Sequence, residues 1–483
     1  MAEAILGAAF MVVHLGAIFY LLLRERRQPS ATLAWLLTLI FLPALGLLFY
    51  AVFGTTRARR VAKKRAVAVA RVGDVVRKHA VHQKLSSPGG SKLDPRTHSL
   101  LRLGEGLTRT PASVGNQAEM LINAPQTYRS MIQAIEEARD HIHVEFFIIQ
   151  PDRTGQSLRD RLTKRASEGL AVRVIYDAIG SKNLPRDFWQ PLIDAGGEAA
   201  AFNPFSNFWE RWRRRDRIDF RNHRKLVIVD GRIGFTGGIN VGREYLGLDP
   251  ERGFWRDTHI RLTGPAVLSL QQTFAEDWFT ACGRLIEEPR YFPDPAPEDR
   301  GPYAVQVVDS GPDRKYPPIS YFYTQCFALA RDRIWLASPY LVPSPAVEQA
   351  LIAAALRGVD VRILAPLKPD KRIVMLASAS YFGELLEAGV RIFRYALGFM
   401  HAKTIVVDDW VGTVGSANLD MRSFHLNFEL NAFVYGKEFT DAMAAQFRAD
   451  LEQAQEYTLQ NEESVGLPIR LLRAGARMLS PLL

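Results

Sequence analysis

Two short segments of the sequence repeat the same arrangement of chemically capable residues. In each, a lysine lies two positions after a histidine, an aspartate lies five positions after the lysine, and a turn rich in glycine, serine and asparagine follows. The first segment contains His223, Lys225, Asp230, Gly238 and Asn240, and the second contains His401, Lys403, Asp408, Ser416 and Asn418. The internal spacing is identical in both. Two copies of so long a pattern indicate a shared chemical role.

A histidine and a lysine two positions apart on a β-strand point to the same face of the sheet. The imidazole and the ammonium of each segment can therefore share one pocket. A lysine buried there without an anionic partner would be costly, which argues against a purely structural role. Backbone N–H groups and the asparagine amide of the following turn can approach an anion closely. The pattern predicts a binding site for a phosphate-like anion beside an imidazole.

Two such imidazoles can cleave a phosphodiester with no metal and no cofactor. Lysine and asparagine side chains would stabilise the charge of a five-coordinate phosphorus. One imidazole would attack phosphorus, and the other would protonate the departing alkoxide and then deprotonate an incoming alcohol. Two in-line displacements give net retention of configuration at phosphorus. The residue types thus favour transfer of a phosphoryl-linked group between alcohols.

The sequence around these segments predicts an α/β fold with an internal duplication. A helical stretch at 128–138 precedes an apolar, strand-like run at 142–149, and a second helix and strand follow. The same order returns from residue 333 onward. This alternation is typical of helices packed on both faces of a sheet. We expect two pseudo-symmetric α-β-α sandwich halves, at 116–300 and 301–483.

Residues 1–60 differ sharply from the rest of the chain. Two apolar runs, about 5–23 and 33–53, are each long enough to cross a bilayer, which takes roughly 20 apolar residues. Their short connector predicts a two-helix transmembrane hairpin. Six basic residues follow the second run against three in the connector, so the catalytic region is expected on the cytoplasmic side. A cleaved signal peptide is the alternative for the first run, although no positive charge precedes it.

Residues 61–115 gather charge without a clear period, and the sequence at 86–92 is typical of a flexible break. We expect a basic linker here that lies against anionic lipid. The formal net charge of +10 also indicates an anionic partner: a membrane surface, a lipid head group or a nucleic acid. The two cysteines, Cys282 and Cys326, lack the spacing of a disulfide or metal framework and are expected to be buried thiols.

The doubled histidine–lysine–aspartate pattern resembles the signature of the phospholipase D superfamily. In that superfamily two such motifs meet across a pseudo-twofold interface and build one active site. The resemblance implies one shared pocket, with His223 as the nucleophile and His401 as the general acid and base. It also implies that Asp257 and Glu429, which lie 34 and 28 residues after the two histidines, support the imidazoles.

The remaining motif residues have expected roles that follow from the same resemblance. Asp230 and Asp408 should brace the backbone and the lysine of each motif rather than touch substrate. Asn240 and Asn418 should bind phosphate together with the turn. Gly238 stands where many members carry serine, as the second copy does at Ser416, so a hydroxyl contact to phosphate is expected only in the second half.

Several further segments resemble bacterial cardiolipin synthases. They are the second apolar run with its flanks, the approach to the first motif at 220–231 and the passage at 307–313. The resemblance implies transfer of a phosphatidyl group from one phosphatidylglycerol to a second, which gives cardiolipin and releases glycerol. It places the protein as a multi-pass protein in the bacterial cytoplasmic membrane, in contact with phosphatidylglycerol and other anionic lipids.

Other functions stay open on the sequence alone. A phospholipase D-type hydrolase, or a phosphatidyltransferase with another lipid donor or acceptor, would use the same residues. A membrane-bound nuclease is an alternative of a different class, because arginines and aromatic residues also bind nucleic acid strands. The two apolar runs argue against it, and no nucleic-acid partner is expected. The two intact motifs argue against a non-catalytic scaffold.

Two peripheral segments have the composition of membrane-surface elements. Residues 202–220 mix aromatic residues with arginines directly ahead of the first motif, as in an interfacial lid or a solvated loop. Near the C-terminus, Arg470, Arg473 and Arg477 fall on one face of an amphipathic helix with leucines on the other. A membrane-surface helix and a packed terminal helix both fit this pattern.

Overall fold

A computed structural model describes residues 1–24, 29–53, 59–80, 94–108, 111–204, 219–249, 253–368 and 370–480. The described chain divides into two compact units. One consists of the apolar N-terminal helices, and the other begins at Arg59 and contains both motifs. Most of the predicted lid, residues 205–218, lies outside the described residues.

The N-terminal unit contains helices α1 (Ala2–Arg24), α2 (Pro29–Phe41) and α3 (Pro43–Phe53). Within the described chain, one helix is long and apolar enough to cross a membrane, at Ile5–Leu23 in α1. The second apolar run forms two shorter helices, which are interrupted before Pro43. Proline has no N–H to continue the hydrogen bonding of the first helix, but it is well suited to the first position of the next one. A hairpin in which both runs span the bilayer therefore stays a prediction.

The second unit begins with α4 (Arg59–Ala80) and α5 (Pro95–Leu107). The strands of the first half are β1 (Ser113–Ile122), β2 (His141–Phe146), β3 (Ala171–Asp177), β4 (Glu198–Phe202), β5 (Arg221–Asn222), β6 (Lys225–Val229), β7 (Ile233–Gly237), β8 (Trp255–Arg256) and β9 (Thr258–Thr263). Its helices are α6 (Asn123–Glu137), α7 (Arg153–Ser167), α8 (Gln190–Asp194) and α9 (Ala266–Cys282).

The second half repeats this alternation. Its strands are β10 (Tyr303–Ser310), β11 (Arg333–Ala337), β12 (Leu341–Val342), β13 (Asp360–Pro366), β14 (Arg391–Tyr395), β15 (Phe399–Met400), β16 (Thr404–Val407), β17 (Val411–Gly415), β18 (Leu419–Asp420), β19 (Asn427–Tyr435) and β20 (Ala454–Tyr457). Its helices are α10 (Pro318–Leu329), α11 (Pro345–Leu356), α12 (Arg372–Ala379), α13 (Phe382–Glu387), α14 (Met421–His425), α15 (Lys437–Leu451), α16 (Leu459–Glu463) and α17 (Leu467–Met478).

Sixteen strands form one mixed sheet, in the order β20-β14-β13-β11-β16-β17-β19-β10-β1-β9-β7-β6-β2-β3-β4, with β5 beside β19. Strands β2, β3 and β4 are parallel, as are β11, β13 and β14. Strands β6 and β16, which follow the motif histidines, run antiparallel to β2 and β11. Antiparallel pairing of β10 with β1 joins the two halves. The predicted α/β class is confirmed.

The two halves share a hydrophobic core around α9. Residues 266–278 of this helix are all buried, as expected of a helix enclosed on every side. Phe274 and Trp278 belong to the same apolar cluster as Val406 and Phe428 of the second half. Both cysteines are free thiols. Cys326 is buried as predicted, whereas Cys282 at the end of α9 is only half-buried.

Helix α4 occupies part of the segment expected to be an aperiodic linker, and that expectation is wrong for α4 and α5. Arg65, Ala68 and Val72 of α4 are buried on the face that packs against α9. The predicted flexible break lies outside the described residues. Arg65 therefore does not face lipid. Its guanidinium lies 2.9 Å from Glu276 Oε2, 2.9 Å from Asp277 Oδ1 and 3.6 Å from Asp313 Oδ2.

We expect Arg65→Met to lower the free energy of unfolding by about 3–5 kcal/mol, because it removes one partner of a buried ion-pair group. The matched control is Lys64→Met, at the exposed neighbouring position of α4, which should change stability by less than about 0.5 kcal/mol. Thermal unfolding of both variants in detergent measures the difference. Equal melting temperatures for the two variants would contradict the buried ion-pair group.

Candidate active site

The two motif histidines lie at one edge of the sheet. His223 and His401 directly precede β6 and β16, which run antiparallel to β2 and β11. Both histidines therefore lie at the edge where the parallel strands β2, β3, β11 and β13 end. Ligand sites of α/β proteins are commonly found at this carboxyl edge. Each side chain is about nine-tenths buried, with 12% and 11% exposed.

Each histidine is bonded to a carboxylate from the opposite half of the molecule. His223 Nδ1 lies 3.0 Å from a carboxylate oxygen of Glu429, and His401 Nδ1 lies 2.6 Å from Asp257 Oδ2. The structure thus brings both predicted acids to the imidazoles, but the pairing is crossed. Each acid contacts the histidine that does not precede it in its own half. Neither motif histidine is paired with the predicted acid of its own half.

The carboxylates hold both imidazoles in a form suited to chemistry at Nε2. Burial raises the pKa of Asp257, but Lys403 and His401 outweigh it and the net pKa lies below its usual value. The pKa of Glu429 is likewise lowered, because His223 and Lys225 outweigh burial. An ionised carboxylate accepts a hydrogen bond from Nδ1–H. The proton therefore stays on Nδ1, and Nε2 keeps its lone pair.

Burial also keeps both imidazoles neutral. It lowers the pKa of His223, and together with the Lys403 ammonium it lowers the pKa of His401 to about 4. A phosphodiester anion between the rings would raise both values, because negative charge favours the imidazolium form. Neutral imidazole suits a nucleophile, and substrate binding would supply the charge that a general acid needs.

The two motif lysines are buried beside the histidines. Lys225 Nζ donates to the backbone carbonyl of His223 at 2.6 Å, and Lys403 Nζ donates to that of His401. Burial lowers the pKa of Lys225 to about 7 and that of Lys403 to about 8. An ammonium has three donors, so each keeps N–H groups for a ligand. The charge of a bound anion would favour the ammonium form of both lysines.

The motif aspartates lie at the far ends of β6 and β16 and brace the backbone. Asp230 accepts hydrogen bonds of 2.8–3.0 Å from three successive N–H groups at residues 139–141. Asp408 does the same at residues 331–333, at 2.8–3.0 Å. Both adopt positive φ values of 53° and 52°, which aspartate tolerates better than most residues. The expected contact with the lysines is wrong, because a whole strand separates them.

Gly238 and Ser416 are corresponding positions with different surroundings. A Cβ atom at Gly238 would lie 2.1 Å from Asp257 Oδ1, so the close approach of that carboxylate requires glycine. Ser416 Oγ donates to Glu429 Oε2 at 2.6 Å and accepts from the Leu430 N–H at 2.9 Å. The hydroxyl expected to contact phosphate is therefore directed to the carboxylate that holds His223.

The two asparagines lie in the turns next to the histidines. Asn240 accepts from the Ile148 N–H at 3.0 Å and donates to Tyr245, so its amide fixes the local backbone. Asn418 interacts with Asp420, and its buried Oδ1 accepts no hydrogen bond from the described residues. The Asn240 amide is therefore hydrogen-bonded to protein groups, whereas the Asn418 amide oxygen accepts no hydrogen bond from the described residues.

Aromatic rings enclose the histidines, and the motif pattern gave no sign of them. Phe147 packs edge-on against His223, with ring centroids 4.9 Å apart. Trp255, Phe399 and Tyr245 pack around His401 at 5.0, 5.7 and 5.8 Å. These rings limit the access of water to the imidazoles. In the part of the chain that the structure describes, no group of three or more His, Cys, Asp or Glu residues is arranged to hold a metal ion.

Arg224 is another residue near the site that the motif pattern did not single out. It lies between His223 and Lys225, directly before β6, and its side chain reaches α9 and the backbone of β19. Its Nε donates to the Glu429 carbonyl at 3.1 Å, and it is ion-paired with Asp277. Asp277 is also a partner of Arg65 in α4. The strand carrying Glu429 is thus tied to the buried charges beneath the site.

Comparison with known proteins places this geometry in a family. The family model described as "Cardiolipin synthase, PLD-like domain" matches residues 131–278 and 323–451. A model described as "Phospholipase_D-nuclease N-terminal" matches residues 12–54. The cardiolipin synthase of Geobacillus sp. (strain WCH70) is 39% identical over 490 residues, which cover 99% of this chain and 94% of that protein. The chain belongs to the cardiolipin synthase family.

Further similarities agree with this placement. The major cardiolipin synthase ClsA of Bacillus subtilis (strain 168) is 37% identical over 491 residues, covering 100% of this chain and 99% of that protein. A phosphatidylserine synthase structure from Haemophilus influenzae Rd KW20 aligns with a TM-score of 0.59 at 15% identity, covering 80% of this chain and 100% of that one. The latter shows the shared fold alone. The resemblance seen in the sequence is confirmed, and the chain is a phosphatidyltransferase of this family.

We expect Gly238→Ser to reduce phosphatidyl transfer about 10- to 100-fold, because its side chain would displace Asp257 from His401. The matched control is Gly106→Ser in α5, where an added Cβ meets nothing within 4 Å. Initial rates of lipid transfer compare the two variants at equal folded concentration. Wild-type rates for Gly238→Ser would show that the Asp257–His401 contact is not needed.

Activity and the stability contribution of Lys225 should change with pH in opposite directions. As pH rises through about 7 and 8, Lys225 and Lys403 lose their protons, so kcat/KM for an anionic lipid should fall. The folded-state pKa of Lys225 lies below its ordinary value of 10.5, so the unfolded chain binds the extra proton between pH 7 and 10.5. Stability contributed at this position therefore rises over that range.

A pair of titrations checks this expectation. The pH dependence of kcat/KM is measured for the wild type, and thermal unfolding is measured across the same range for the wild type and Lys225→Met. As the pH rises, the free energy of unfolding of the wild type should increase relative to that of Lys225→Met, while kcat/KM of the wild type falls. A rate that stays constant to pH 9, or a stability difference that does not change with pH, would contradict a buried lysine of lowered pKa.

Proposed function

We propose that the chain transfers a phosphatidyl group from one phosphatidylglycerol to a hydroxyl of a second, forming cardiolipin and glycerol through a phosphatidyl-histidine. The crossed contacts of His223 with Glu429 and of His401 with Asp257 carry the proposal. They present two neutral, oriented imidazoles at one edge of the sheet, with a buried lysine beside each. This arrangement suits a double displacement at phosphorus.

In the first displacement, the Nε2 lone pair of His223 attacks phosphorus and the phosphorus–oxygen bond to the glycerol head group breaks. The leaving oxygen takes the Nε2 proton of His401, which is charged once the phosphodiester is bound, and glycerol departs. Glu429 stabilises the growing positive charge on His223, because it accepts the hydrogen bond from Nδ1–H. Lys225 and Lys403 stabilise the negative charge on the equatorial oxygens.

In the second displacement, His401 is neutral and accepts the proton of a hydroxyl group on the second phosphatidylglycerol. The oxygen attacks phosphorus, the phosphorus–nitrogen bond breaks, and His223 returns to its neutral form. Atoms and charges balance over the two steps. The aromatic rings around both histidines favour a lipid alcohol over water as the acceptor, because they limit the access of solvent.

The order of the two histidines follows the resemblance to the phospholipase D superfamily. Each has a carboxylate at Nδ1 and a buried lysine beside it, and exchange of roles would leave the products unchanged. The carboxylate of Glu429 also accepts from Ser416 and Asn427, at 2.6 and 3.1 Å, which fixes the His223 partner more firmly. A firmly held partner is suited to the ring that becomes covalently modified.

The proposal also includes the finer organisation predicted from the sequence. The catalytic residues are the histidines and lysines of the two motifs, with Asp230 and Asp408 as positioning residues, and the two halves are pseudo-symmetric and share one pocket. Residues 5–23 and about 33–53 form a membrane hairpin, with the catalytic unit on the cytoplasmic side. The excess of basic residues after the second run supports this orientation. The matching strand order of the two halves supports the symmetry.

The test uses wild type, His223→Ala and His401→Ala in vesicles with labelled phosphatidylglycerol. Cardiolipin and glycerol should form with wild type, and each variant should lose at least about 10³-fold in rate. A phosphatidyl ester of p-nitrophenol separates the two roles, because its leaving group needs no proton. His401→Ala should then release p-nitrophenol and carry a phosphatidyl group on His223, as read by mass spectrometry.

Three results would change the proposal. Phosphatidic acid as the main product would identify a hydrolase. Label found on His401 in the His223→Ala variant would exchange the two roles. Full activity of either variant would remove that histidine from the mechanism.

A further inference from the structure

The C-terminal helix α17 carries a continuous apolar face that is exposed. On a helical projection this face spans more than a third of the circumference. The exposed fractions are 69% for Leu467, 48% for Ile469, 64% for Leu471, 61% for Leu472 and 83% for Met478, with 44% for Leu479 directly after the helix. Isolated exposed leucines are ordinary on soluble proteins, but a contiguous patch of this kind marks an interaction surface.

The arginines of α17 lie on another side of the helix and are paired with protein groups, although Arg470 remains exposed. Arg473 lies 2.8 Å from Glu462, and Arg477 contacts Glu384 at 3.0 Å and Glu348 at 3.4 Å. Arg470 donates to the backbone carbonyls of Val465 and Glu463, both at 2.8 Å. Arg477 therefore anchors the helix to the second half, Arg470 and Arg473 hold it to the segment directly before it, and the apolar stripe faces outward. This is the reverse of the arrangement in which arginines face anionic lipid.

Helix α17 lies at the edge of the sheet that carries the histidines. It packs on α12, which follows the carboxyl end of β13, and the N–H of Leu341 bonds the Ser378 hydroxyl of α12 at 3.1 Å. His401 lies at this same edge, because β16 begins opposite Ala337 at the end of β11. Arg477 also stacks on Tyr381, 4.4 Å from the ring centroid. The apolar face is thus rigidly tied to the catalytic edge.

We infer that the apolar face of α17 inserts into the lipid bilayer and holds the catalytic edge against the membrane surface. The occupant is lipid and not a protein partner because the substrates are membrane lipids and the large side chains of the face are leucine, isoleucine and methionine, with no charged side chain among them to orient a protein. The inference rests on the proposed function only in that the substrate is a lipid. It adds a second membrane contact, distinct from the N-terminal helices.

The chemistry of the face makes the contact hydrophobic. The face carries no arginine, and the arginines elsewhere on α17 are already paired with glutamates and carbonyls, so attraction to anionic head groups contributes little. Insertion should therefore persist in about 1 M salt, where the Debye length is near 3 Å. A membrane contact made by free basic residues would weaken under the same conditions.

The test uses the full chain in vesicles, with Cys282 and Cys326 replaced by alanine and one new cysteine carrying an environment-sensitive fluorophore. Leu471→Cys reports on the apolar face. Lys164→Cys is the control, with a side chain 76% exposed near the end of α7, which leads into β3 at the opposite edge of the sheet. Lipids brominated on their acyl chains should quench the label at 471, in low and high salt, and leave the label at 164 unchanged. Equal quenching at both positions, or none at 471, would overturn the inference.

A second measurement joins the contact to function. The double variant Leu471→Gln and Leu472→Gln should lose roughly tenfold activity in vesicles and keep wild-type activity in detergent micelles, where lipid reaches the site without docking. Unchanged activity in vesicles would overturn the role in catalysis. An equal loss in both media would identify α17 as a folding element instead. If the wild type makes no cardiolipin, the proposed function fails, but the quenching result still decides the membrane contact.

Discussion

Two hydrogen bonds that cross between the halves of the molecule determine where the rest of the structure must lie. Each imidazole needs an acceptor at Nδ1, and that acceptor is supplied by the opposite half: Glu429 for His223 and Asp257 for His401. The acids sit on or beside β19 and β9, which flank the β10 and β1 junction. One continuous sheet fixes the distance between them, because a shift of register would separate both pairs at once.

The site also requires charges to be buried, and the surrounding protein compensates for them in two different ways. Lys225 and Lys403 lie near carboxylates but remain net destabilised, which leaves them ready to bind an anion. Arg224 and Arg65, in contrast, are enclosed by acids from α9. The two lysines can bind an anion, but their burial lowers the stability of the protein. The two arginines hold the strands beneath the site and leave no free charge for a ligand.

Much of the site could be predicted from sequence because its residues are close together in the chain. The doubled motif gave the histidines, the lysines and the bracing aspartates, and alternating helices and strands gave the fold class. The crossed pairing could not be predicted, since spacing along the chain does not tell which half an acid faces. The same limit applies to Gly238, which is required by a carboxylate distant in sequence, and to the aromatic rings. The sequence did not predict helix α4, because its buried positions include Arg65 and lie within a run of basic residues that is typical of an exposed segment.

The burial of Arg65 bears on how the protein can be shortened. The two family models match residues 12–54 and, from residue 131 onward, the catalytic part, which suggests a boundary anywhere between them. Helix α4 lies in that interval, yet its arginine completes a charge group that reaches the neighbour of His223. A version freed of its apolar helices must therefore retain the chain from residue 59. The described residues of that interval from Arg59 onward belong to the catalytic unit, although no motif marks them.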